Sequence, residues 1–124
     1  MSGLDDLLRQ RLGKIEKLND YFGIVATPEE YPEVIIWGAG QQTKLMLEHA
    51  NFFKKAKAMF IVDDTPEKQG TKFCGIDVFP TSELTLVDLE LPVIIAATQS
   101  YPAIYNRFLQ LGVPETRLIK KLVI

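Results

Sequence analysis

The apolar positions of this chain change their spacing twice. Between residues 4 and 22, Leu4, Leu7, Leu8, Leu12, Ile15, Leu18 and Phe22 recur every three or four positions. Arg9, Gln10, Lys14, Glu16 and Lys17 fall mostly outside that stripe. This spacing predicts an amphipathic helix that Gly23 ends. The prolines of Thr27-Pro28-Glu29-Glu30-Tyr31-Pro32 then predict an extended linker.

From Glu33 onward, short apolar runs alternate with helical spacing. Val34-Ile35-Ile36-Trp37 predicts a first strand, and residues 41–53 a helix with Leu45, Met46 and Leu47 partly inward. Ala58-Met59-Phe60-Ile61-Val62 predicts a second strand and Ile76-Asp77-Val78-Phe79 a short one. Pro80-Thr81-Ser82-Glu83-Leu84 is a capped start to a short helix. Val93-Ile94-Ile95-Ala96-Ala97 is apolar at every position, as a central parallel strand buried on both faces must be. Ser100 as N-cap, Pro102 in a first turn and Gly112 as a stop bound another helix. Residues 117–124 contain the last strand.

Strands alternating with helices predict an α/β fold: a Rossmann-like open parallel sheet of about five strands with helices on both faces, preceded by the N-terminal amphipathic helix. The chain divides into residues 1–32, helix and linker, and residues 33–124, the Rossmann-like domain. The stripe of the first helix has two readings, packing on its own sheet or burial against a second copy in a homodimer.

The strand ends carry the chemistry. The first strand runs into Gly38-Ala39-Gly40-Gln41-Gln42-Thr43, and the second ends in Asp63-Asp64. Strand, Gly-x-Gly turn, helix, strand and acid is the order in which Rossmann-type domains hold a nucleotide. One glycine makes the tight bend and the other admits the ligand's pyrophosphate. The helix start offers N–H groups and a positive dipole end. Thr43 stands where a full fingerprint has its third glycine, which implies a slightly displaced helix and a hydroxyl as an added donor. Asp63 and Asp64 have two readings, ribose binding and an Asx-type turn before Thr65-Pro66. Thr98, Gln99 and Ser100 follow the apolar central strand and would reach the same switch point, with helix capping as the alternative role of Ser100.

Charge and composition narrow the partners. A formal net charge of −2 gives no reason to expect nucleic acid, and no apolar run is long enough to span a bilayer. Residues 1–6 lack the basic start and apolar core of a signal peptide. Cys74 is the one cysteine, so no internal disulfide forms and a reducing cytoplasm fits. His49, beside Glu48, has no second His or Cys at metal-ligand spacing. Lys54, Lys55 and Lys57 complement a helix end. Neither Tyr101 nor Tyr105 has a lysine four positions on, and there is no Gly-x-Ser-x-Gly elbow or Walker-type phosphate loop. No complete catalytic apparatus is legible.

Gly38-Ala39-Gly40, the run from Phe60 to Gly70, Gly75-Ile76-Asp77-Val78 and Leu111-Gly112-Val113 together give a more specific pattern, an Asp63-to-Gly70 turn followed by a Gly-x-x-Val strand. Over residues 34–119 the chain resembles the small Rossmann-like nucleotide-binding domains of bacterial surface-polysaccharide biosynthesis proteins. These stand at the front of capsule-type nucleotide-sugar epimerase/dehydratases and beside sugar acyltransferases, glycosyltransferases and methyltransferases. The resemblance implies binding of NAD(P) or a nucleotide-sugar, with Gly38, Gly40 and Asp63 as contacts and chemistry in a second domain or partner. Gln42 stands where related members often have histidine. The expected function is a non-catalytic nucleotide-binding module of a larger biosynthetic protein or assembly. The alternatives are part of a nucleotide-sugar oxidoreductase or epimerase, and an interaction module with a vestigial site.

Overall fold

A computed structural model describes residues 22–86 and 91–119. The predicted helix over residues 4–22 lies outside them except for Phe22, and so does the homodimer reading that depends on it. Among the described residues, six strands form one sheet: β1 (Glu33–Trp37), β2 (Lys57–Val62), β3 (Lys72–Phe73), β4 (Ile76–Phe79), β5 (Val93–Ile95) and β6 (Leu118–Ile119), in spatial order β3-β4-β2-β1-β5-β6. All neighbours are parallel except β3, which pairs antiparallel with β4 at one edge. The α-helices among the described residues are α1 (Gln41–His49) and α2 (Tyr101–Gln110). This is the expected Rossmann-like α/β architecture, with the hairpin partner β3 as an added strand.

Alternation along β1 builds the core on both sides. Val34 and Ile36 pack with Ile24, Met46, Phe52, Ile61 and Ile94, whereas Ile35 and Trp37 pack with Val62, Leu84, Val93, Ile95 and Phe108. Successive side chains of a strand point to opposite faces. Met46 lies on α1 and Phe108 on α2, so the two helices cover opposite faces. The β1–β2 register slips between Val34 and Ile35, which pair with Ala58 and Phe60. Met59, skipped by that register, is an apolar side chain left 38% exposed.

Three local predictions are revised. The first helix stops at His49, because Ala50 is extended (φ −72°, ψ 129°) and the chain restarts as a 3-10 turn over Asn51–Lys54. A helix continued past buried Ala50 would swing Phe52 about 200° round, towards water. The break instead buries Phe52 in the core, edge-on to Phe53 at 5.1 Å. Thr27 to Tyr31 form a turn rather than an extended path. Glu30 and Tyr31 donate to the Thr27 carbonyl, and Thr27 and Glu30 exchange backbone-to-side-chain bonds at 3.1 and 3.2 Å. Ser100 occupies the N-cap of α2, yet its side chain makes no capping bond.

The β3–β4 hairpin turns through Cys74 and Gly75, both at positive φ (52° and 76°). Two-residue loops with positive φ at both positions favour Asn-Gly, because asparagine tolerates the left-handed region better than most side chains. Cys74→Asn should therefore raise stability by about 0.5–1 kcal/mol. A urea midpoint equal to or below that of the wild type would reject this assignment of the turn.

Candidate functional site

The carboxyl ends of β1, β2 and β5 border a cleft of about 430 Å³, within the range of small-molecule sites. Nine of the eleven residues singled out from the sequence line it: Gly38 to Thr43, Asp63, Asp64 and Ser100. Thr98 and Gln99 do not. They are exposed, and the Thr98 carbonyl accepts from the Tyr101 N–H at 3.3 Å in the turn that starts α2. Trp37, Ala96, Ala97 and Ile104 supply apolar wall. Tyr101 and Tyr105 stack on each other outside the cleft.

The two glycines of the turn have different reasons to be glycine. Gly38 has φ +120°, which side chains rarely adopt, and its N–H donates to the Val62 carbonyl at 2.8 Å. Its carbonyl accepts the Thr43 hydroxyl, so that hydroxyl is used inside the turn and Thr43 is 1% exposed. Gly40 has φ −145° and ψ −170°, extended backbone open to any residue, and a Cβ added there would meet nothing within 4 Å. The Gly40 carbonyl accepts the first helical N–H, from Lys44 at 3.1 Å. The N–H groups of Gln41, Gln42 and Thr43 precede that bond and have no acceptor within the helix.

Asp63 is 9% exposed and holds the turn from the side. One carboxylate oxygen accepts the Ala39 N–H and the other the Thr65 N–H, each at 2.8 Å. The second bond is the Asx-type turn anticipated from Asp before Thr-Pro. Burial alone would raise this carboxyl. The N–H groups of Ala39 and Thr65, the Thr65 hydroxyl and the Lys68 charge outweigh burial and hold it below its ordinary value of 3.8. Asp63 is therefore ionised at neutral pH. Asp64 accepts the Thr81 hydroxyl at 2.5 Å and faces the Arg107 guanidinium of α2 at 3.5 Å.

Lys68 is the cleft residue that sequence reasoning passed over. It stood in a polar turn among other polar residues, with no spacing to mark it. The fold brings its ammonium 2.8 Å from the Ala39 carbonyl, 29 positions away in the chain. Ala39 is thus gripped at its N–H by Asp63 and at its carbonyl by Lys68. Among the described residues, no group of three or more His, Cys, Asp or Glu could hold a metal ion. No helix among them is long and apolar enough to cross a membrane.

No curated protein matches the chain. Solved structures similar in backbone include the following two. RSP in complex with beta-NAD+ and operator DNA matches at 18% identity and TM-score 0.49, over 75% of this chain and 51% of that one. UDP-D-quinovosamine 4-dehydrogenase from Vibrio fischeri matches at 23% identity and TM-score 0.44, over 67% and 74%. The chain spans about half the length of the first. At these identities the likeness concerns fold alone. A family's sequence model, described as C2185-like, N-terminal, matches residues 30–119, from the turn before β1 to the end of β6. The chain belongs to this C2185-like N-terminal family.

Proposed function

We propose that residues 33–124 are a nucleotide-binding module without catalysis of its own, taking NAD(P) or a nucleotide-sugar. Its phosphates would lie on the first turn of α1 and its ribose beside Asp63 and Asp64. The observation that carries this reading is Gly40. Its backbone conformation does not require glycine, and no neighbour would collide with a Cβ. Capping does not select glycine either, since Ser, Asp and Asn serve an N-cap at least as well. Close approach by a ligand does require it, and Gly40 lines the cleft. The resemblance to polysaccharide-biosynthesis domains supplies the setting: bacterial nucleotide-sugar metabolism, with chemistry in another domain or partner.

One observation favours a second reading, an interaction module with a vestigial site. Both carboxylate oxygens of Asp63 already accept backbone N–H groups, so a ribose would have to share them. A thermal-shift panel with NAD, NADP, UDP-sugars, dTDP-sugars, coenzyme A and S-adenosylmethionine separates the two. A ligand at about a hundred times its dissociation constant stabilises the fold by roughly 2.7 kcal/mol, several degrees for a domain of this size. A shift with one ligand class is the expected result. A flat panel at millimolar concentrations would transfer the assignment to the interaction module.

A further inference from the structure

The ammonium of Lys68 stands in an unusual place. Cations are ordinarily disfavoured at the amino end of a helix, where the dipole is positive. Lys68 nevertheless contacts Ala39, immediately before the Gly40 N-cap of α1. Its hydrogen-bond partner there is a neutral carbonyl, and among the described residues it makes no salt bridge. An ammonium has three donors, and this one is half-buried and lines the cleft. The nearby carboxylate, Asp63, already has both oxygens on backbone N–H groups. Two positive features, the helix start and Lys68, therefore border the same space.

From this geometry we infer that Lys68 is the phosphate-reading residue of the cleft: its ammonium leaves the Ala39 carbonyl for a phosphate oxygen of the ligand. The inference rests on the nucleotide-binding reading and deepens it, since a cation beside the helix start selects ligands that place a phosphate there over uncharged nucleosides. The phosphate can come from a nucleotide or from free inorganic phosphate. Exchanging a neutral acceptor for an anionic one strengthens the lysine's hydrogen bond. It also releases the carbonyl side of the grip on Ala39, while Asp63 keeps the N–H side.

The test titrates the full chain with NAD, UDP-glucose, adenosine, uridine and inorganic phosphate, following protein amide chemical shifts. Lys68→Met should weaken binding of the diphosphate ligand about 10- to 100-fold, the size of a hydrogen bond between charged groups. It should leave nucleoside binding unchanged, and Lys68→Arg should retain most of the affinity. Inorganic phosphate that binds the wild type as tightly as the nucleotide, and K68M weakly, would keep Lys68 as an anion reader and assign free phosphate as its ligand. Equal affinity of wild type and K68M for the diphosphate ligand, or equal losses for nucleotide and nucleoside, would overturn the role of Lys68 alone. A wild type that binds none of the five would overturn it together with the nucleotide-binding reading.

Discussion

Gly40→Val should abolish nucleotide binding, by about 100-fold or more, in a protein that still folds. Glycine is not needed for the local backbone, which is extended at φ −145°, a region valine favours. No heavy atom lies within 4 Å of the added Cβ. Valine is a poorer N-cap than glycine, and this should cost about 1 kcal/mol or less, a few degrees of Tm. The branched side chain would stand where a phosphate must approach the N–H groups of Gln41 and Gln42. Gly40→Ala should fall between the two. Titration calorimetry with whichever ligand shifts the wild type reads the result, and unchanged affinity in G40V would remove Gly40 from the site. Gly38 provides no such test, because at φ +120° any side chain strains the fold itself.

Asp63→Asn is expected to destabilise the protein by about 2–3 kcal/mol, or roughly 6–15 °C. Asparagine keeps the shape but has one acceptor oxygen. Its amide nitrogen would therefore face either the Ala39 or the Thr65 N–H, donor against donor, at a site only 9% exposed. The attraction of Lys68 is lost as well. The pH dependence follows from the direction of the shift. The folded carboxyl titrates below its ordinary value of 3.8. Its stabilisation is complete above that unfolded value and is lost as pH falls through the lower folded one. The gap between wild type and D63N should thus be full at pH 7 and narrow in acid. A gap of less than about 0.5 kcal/mol at pH 7 would show that the two N–H bonds contribute little net.

The fold was legible because its signals are local. Four apolar residues from Val34 to Trp37, a glycine turn and a second apolar run ending in acid are readable within thirty positions. The edge strand β3 was not, since Cys-Gly is not a usual hairpin pair and only the positive φ values reveal the turn. The end of α1 was missed because burial of Phe52 outweighed helix continuation. At the cleft, residue types marked Gly38, Gly40 and Asp63, but the partners of Asp63 depend on where the Ala39 N–H points. Ribose and Asx-turn readings of the acid were therefore inseparable in sequence. Thr98 and Gln99 follow a buried strand, as switch-point residues do, but their segment turns away into the start of α2. Lys68 could emerge only when two distant loops were brought together.

The grip on Ala39 also bears on the order of assembly. Ala39 and Asp63 are 24 positions apart, Asp63 directly after the unit formed by β1, α1 and β2, and Lys68 stands in the turn that follows. Pairing of β1 with β5, as between Ile36 and Ile94, closes a much longer stretch of chain. Closure entropy rises with loop length, so the early unit has the cheaper nucleus. The glycine turn and its two clamping residues thus belong to the part of the chain that can form first. The half of the cleft built from the glycine turn, Asp63 and Lys68 would be complete on a nascent folding unit, with the β5 wall arriving afterwards to enclose it.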